Sequence, residues 1–166
     1  MKLFQFEDEI HSTNTIIEKL SPFIHKGDTV YAELDVMKFG KLYDTQIKKD
    51  ELLHQIFLTF FVLVGASGNI LIPSFSYSWG NDIKEKVFDV KKTKGEVGIF
   101  PEYFRNMEGT LRTLDPMFSI LAYGKDKEHY VDIRHNSFGK GSVFHKLKYL
   151  NVMQYYQQLL TDLLIA

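Results

Sequence analysis

The stretch DELLHQIFLTFFVLVGASGNILIPSF, residues 50–75, constrains the fold more than any other part of the chain. Leu52, Leu53, Ile56, Phe57, Phe60 and Val64 recur with the 3.6-residue period of a helix. Asp50 and Glu51 suit that helix's positive end. GASGN breaks the period, and the β-branched run at 70–75 reads as a buried strand ending near Pro73. The same succession occurs upstream. Residues 13–25 place Ile16, Ile17, Leu20 and Ile24 at helical spacing until Pro22 interrupts it, and KGDTVYAEL turns into a strand with Val30, Ala32 and Leu34 alternating. Helix then strand, twice over, predicts a layered α/β fold.

The downstream half is more broken. Residues 78–98 read as a long polar excursion, IFPEYFRNM (99–107) as a short helix with proline in its first turn, and MFSILAYG (117–124) as another strand. Residues 148–166 carry Leu150, Met153, Leu159, Leu160, Leu163 and Leu164 and read as a divergent helix-like segment. At 166 residues the chain suits one domain spanning 1–166. Twenty basic residues against 21 acidic ones give a net charge of −1, so no general field draws nucleic acid or an anionic membrane surface. The absence of cysteine excludes disulfides, thiolate nucleophiles and Cys-based metal sites. MKLFQFEDEI lacks the apolar core of a signal peptide, and Ile56 to Val64 is far shorter than the roughly 20 residues a membrane span needs. A soluble, cytoplasmic protein is expected.

Four segments and a turn carry polar groups at places where chemistry is done. KGDTVYAELDVMKFG (26–40) runs from a strand into a loop closing on Phe39-Gly40, and GNILIPSFSYSWG (68–80) releases Ser74, Ser76, Tyr77 and Ser78 from a strand end. PEYFR (101–105) follows Phe88-Asp89 and Gly98, and GTLRTLDPMFS (109–119) holds Arg112, Thr113 and Ser119 around a proline turn. DIRHNSFGKGSVFHKL (132–147) places His135 ahead of Phe138, Gly139, Gly141 and Ser142. Taken singly each is bland: hydroxyls after a strand cap loops, glycines permit turns, and an arginine is an ordinary ion-pairing residue.

In this order the blocks resemble the aminoglycoside 3-N-acetyltransferase family, over about Lys26 to Leu147. The resemblance implies an α/β/α fold with a central mixed sheet, the C-terminal part of the family fold missing, and thus a single incomplete acetyltransferase-like domain. It implies transfer of an acetyl group from acetyl-CoA to an amino group of an aminoglycoside by direct attack, without a metal. His135 is then the general base, since a histidine near its ordinary pKa of ~6.5 accepts an amine proton at neutral pH. Phe39, Gly40, Ser74, Ser76, Arg112, Thr113 and Ser119 would line the coenzyme channel, and Tyr77, Asp82 and Glu102 would meet the acceptor. Three departures weigh against a simple transfer of function. Glu33-Leu34-Asp35 stand where the family carries His-Ser-Ser, Asp115-Pro116 replaces His-Pro, and 148–166 lacks the family's later blocks, as a truncated or frame-shifted product would. Two alternatives stay open: an acceptor amino sugar of surface-glycan biosynthesis, or an inactive truncated remnant.

Overall fold

The computed structural model describes residues 1–77, 87–133, 136–149 and 153–155. His135 and Asp82, two of the expected site residues, lie outside these residues. Helix α1 (Thr13–Leu20) starts on Ser12, whose side chain accepts from Thr15 N while Thr15 Oγ1 accepts from Ser12 N, closing a capping box. It ends just before Pro22, as the period predicts. The helix of the most constraining stretch is α2 (Lys49–Val64), and it leads into β5 (Asn69–Pro73), all five residues of which are buried. Helix α3 (Ile99–Arg105) and strand β7 (Ile120–Gly124) fall where expected, although residues 117–119 form a turn rather than the start of the strand.

The main sheet runs β6 (Leu111–Arg112), β7, β5, β3 (Thr29–Ala32) and β8 (Met153–Tyr155), in that spatial order. β3 lies parallel to β5 and to β8, whereas β7 runs antiparallel to β5 and β6, so the sheet is mixed. Alternate residues face opposite layers. Val30, Ala32, Ile70, Ile72 and Leu121 join α1, α2 and α3 in one core. Tyr31, Leu71, Ile120 and Ala122 face a second core with Tyr130 of α4 (Lys127–Val131) and Val143 of α5 (Val143–Tyr149). The molecule is therefore a three-layer α/β/α sandwich. Among the described residues, no helix is long and apolar enough to cross a membrane.

Two features differ from what local pattern predicts. The helix-like expectation for 148–166 is met at Lys148 and Tyr149 but not at Met153–Tyr155, which pairs with β3 in the register Val30↔Met153 to Ala32↔Tyr155. Strand pairing there satisfies backbone groups of β3 that a helix would leave unmet. The N-terminus, read only as acidic, forms β1 (Lys2–Phe6) and β2 (Glu9–Ser12), which join β4 (Lys41–Leu42) in a small antiparallel sheet. Leu3 and Phe4 of β1 are buried in the core with α1 and α2.

His11 of β2 is only 2% exposed, and its Nε2 has no hydrogen-bond partner. Burial lowers its pKa and Lys19 lowers it further, against the opposing pull of Glu9. The native state thus binds this proton less readily than the unfolded chain, whose histidines titrate near ~6.5. The stability that neutral His11 confers is complete above that pH and is lost as the pH falls through it toward the depressed native value. Urea midpoints measured between neutral and mildly acidic pH should therefore fall more steeply for the wild type than for His11→Leu.

Candidate functional site

The carboxyl ends of β3 and β5 lie at one edge of the sheet, together with the start of the antiparallel β7. Five of the expected coenzyme residues meet there, and they meet inside the protein. Ser74, Ser76, Thr113 and Ser119 are fully buried and Arg112 nearly so. Arg112 Nε donates to Ser119 Oγ at 3.0 Å, Nη2 donates to Ser74 O at 2.8 Å, and Nη1 donates to Thr93 O. Ser119 Oγ donates in turn to Ser74 O at 2.6 Å. Thr113 is tied to Ile120 through both backbone and side chain, and Ser76 Oγ donates to Pro116 O. The Phe88 ring covers the guanidinium, with 4.9 Å between Arg112 Cζ and the ring centroid. Burial lowers the Arg112 pKa to about 10, the charge of Arg105 lowers it too, and Glu102 opposes both.

This knot pins a strap of chain across the end of β5. Arg105 donates to Lys91 O, Glu96 N donates to Phe75 O, and Gly95 N donates to Glu102 Oε1 at 2.7 Å. Asp89 holds the strap's turn by accepting from Lys91 N and Lys92 N. The strap passes close over β5's end at Gly95: a Cβ there would lie 2.6 Å from Ser74 Oγ, a buried hydroxyl that has no hydrogen-bond partner. Glu102 is occupied within the strap, since Arg105 binds both its oxygens. Burial pushes its pKa up, but the bonds from Arg105 and Gly95 and the charges of Arg105 and Arg112 outweigh this and hold it below the usual value.

The remaining expected residues are dispersed. Phe39 is buried and packs edge-on against Phe4 of β1 at 5.5 Å, drawing the loop after β3 back toward the small sheet. Gly40 has φ 107°, and a Cβ there would press on Gln5 O at 2.6 Å, so only glycine fits this close approach. Tyr77 is exposed, and its backbone N donates to Glu96 Oε1. Asp35 Oδ1 accepts from Met37 N and caps a single 3-10 turn, Val36–Lys38. Asp115 likewise accepts from Met117 N and Phe118 N. The turn after His135 serves α5 directly, because Ser142 Oγ accepts from His145 N in the manner of an N-cap.

A family model described as aminoglycoside 3-N-acetyltransferase matches residues 47–153. The chain belongs to that family. A search of curated proteins returns no match. Among solved structures, AAC-VIa bound to sisomicin is 21% identical and superposes with a TM-score of 0.70, covering 87% of this chain and 58% of that one. AAC-IIIb in binary complex with CoASH is 22% identical, TM-score 0.65, with 82% and 55% covered. YokD protein from Bacillus subtilis is 20% identical, TM-score 0.68, with 82% and 60% covered. These likenesses show the family fold, and this chain spans a little over half the length of the structures it matches.

Two further groups lie outside the expected site residues. Tyr31 donates its hydroxyl to Glu33 Oε1 at 3.0 Å just beyond β3. Phe75, Phe118, Phe138 and Phe144 form a ring-to-ring series with centroids 5.4, 4.8 and 5.2 Å apart. Glu33 is visible in sequence as an acid replacing a histidine, whereas the ring series joins four separated segments and has no local signature. A cleft of about 350 Å³ opens at the opposite end of the sheet, between Gly65, Gly68, Tyr123 and Lys125, and none of the expected residues lines it.

Arg112→Lys tests the knot. Lysine cannot reproduce the planar fork that serves Ser74 O, Thr93 O and Ser119 Oγ together. Denaturant unfolding should show a loss of about 2–4 kcal/mol, the range expected when a buried charge network is broken. A mere ligand contact at the surface would leave stability unchanged.

Proposed function

We propose that the protein transfers an acetyl group from acetyl-CoA to an amino group of an aminoglycoside, at the 3-N position, with His135 as general base. The family match over 47–153 carries this reading, since it spans the strand end, the strap, the Arg112 knot and the turn after His135. AAC-IIIb with CoASH and AAC-VIa with sisomicin supply the co-substrate and the acceptor class for the proposal.

The chemistry asks little of the protein beyond position and proton transfer. The neutral amine attacks the thioester carbonyl, a C–N bond forms, the C–S bond breaks, and the sulfur departs as the coenzyme thiolate. The amine proton goes to the His135 imidazole, which returns it toward the thiolate or to water. Donors must meet the oxygen that gains charge in between, and backbone N–H groups at the strand ends are suited to that task. The buried residues Ser74, Ser76, Arg112, Thr113 and Ser119 act in this scheme as the back wall of the coenzyme channel. Their hydrogen bonds hold β5, β7 and the strap at fixed spacing, and the coenzyme lies against the surface they set. Tyr77 is exposed at the same end, and in this scheme it meets the acceptor. Among the described residues, no three His, Cys, Asp or Glu gather where a metal ion would be held.

Thiol release from acetyl-CoA in the presence of sisomicin should be detectable with the wild type. His135→Gln should abolish most of it while leaving the melting temperature nearly unchanged. Acetylation of amino-sugar nucleotides but not of any aminoglycoside would move the acceptor to glycan synthesis. A second measurement concerns binding alone: millimolar acetyl-CoA should raise the melting temperature by mass action. No shift, together with no turnover, would identify an inactive remnant.

A further inference from the structure

The connections of the sheet single out the carboxyl end of β3. β3 passes to β5 through α2, which packs on one face, while α4 and α5 cover the other face and lead to β8 on the far side of β3. The helices that flank β3 in the sequence of connections thus lie on opposite faces, and the carboxyl ends of parallel strands are where open α/β sheets receive ligands. Glu33 immediately follows β3 at that place. It is half-buried, and its Oε1 is held at 3.0 Å by the hydroxyl of Tyr31, a ring only 1% exposed. Tyr31 is set edge-on against Phe144 at 6.3 Å, and Phe144 stacks on Phe138 at 5.2 Å. Phe138 is 62% exposed even though it touches two other rings. Among the described residues, Glu33 makes no ion pair with any lysine, arginine or histidine.

A partly desolvated carboxylate that is aimed by a buried hydroxyl and has no cation paired with it among the described residues is suited to an external one. An open aromatic face linked to it by two ring contacts offers an apolar platform that also attracts positive charge. We propose that Glu33, oriented by Tyr31, anchors an ammonium group of the acceptor, and that Phe138 supports the ring carrying it. The inference rests on the acetyl-transfer reading and sharpens it. The anchored ammonium keeps its proton, so it is distinct from the amine that attacks the thioester. The acceptor class is accordingly a ring-borne molecule with at least two amines, and a monoamine lacks the group that Glu33 holds.

Sisomicin is the probe, titrated calorimetrically against the full chain and used as acceptor in the thiol-release assay. Glu33→Gln should raise both Kd and KM for sisomicin by about tenfold or more, with kcat and the KM for acetyl-CoA close to wild type. Tyr31→Phe, which keeps the buried ring and removes only the hydroxyl, should raise the sisomicin KM by a smaller factor. Added salt should weaken sisomicin binding in the wild type and much less in Glu33→Gln. An active wild type whose sisomicin Kd and KM are unchanged in both variants overturns the role of Glu33 and leaves acetyl transfer standing. A wild type that neither binds sisomicin nor releases thiol overturns acetyl transfer, and this inference with it.

Discussion

One buried guanidinium organises the end of the sheet. Arg112 sits on β6, yet its donors reach the end of β5 through Ser74 O, the start of β7 through Ser119 Oγ and the strap through Thr93 O. Desolvating an arginine is costly, and the cost is offset only because its donors find fixed acceptors and a ring covers its face. The acceptors are fixed because they belong to strands and turns whose own hydrogen bonds are already made. Strand ends, turn and strap are therefore held together rather than one by one. Whatever lies against this edge meets a surface with little freedom to shift.

The two faces of the sheet divide the work. On one side α1, α2 and α3 supply most of the buried apolar area, reinforced by Leu3 and Phe4 from the small sheet. On the other side α4 and α5 are short, and the second core is smaller and partly aromatic. The thinner layer leaves Phe138 in solvent and Glu33 half-open at the edge of the sheet. The thicker layer gives rigidity, and the thinner one gives access.

Much of the frame is legible from periodicity. α2 is long and strongly patterned, β5 is continuously apolar between a glycine turn and a proline, and α1 stops before Pro22. β8 is not legible, because its strand character comes from the open side of β3 rather than from its own residues. The small sheet is missed for a similar reason: β1 gains its meaning only when Phe39 packs on Phe4. For the site, motif order names Ser74, Ser76, Arg112, Thr113 and Ser119, which the fold brings together, but it cannot reveal that they form one hydrogen-bonded network. Their partners are backbone carbonyls such as Ser74 O and Thr93 O, which every residue type carries alike. Glu102 reads as an acid open to an acceptor until Arg105 and Gly95 are seen to occupy it.

The pairing of β3 with β8 also bears on how the chain reaches its native state. Val30 and its neighbour Met153 are 123 residues apart along the chain. Contacts of such long range form late and slow folding, because a large loop must close before they contribute. During synthesis β3 and β5 can meet early, while the outer side of β3 waits until α2 to α5 and then β8 have emerged from the ribosome. In that interval a nascent chain offers an unsatisfied strand margin to chaperones or to sister chains, so slowing translation between the codons for β5 and those for β8 would prolong its exposure to aggregation.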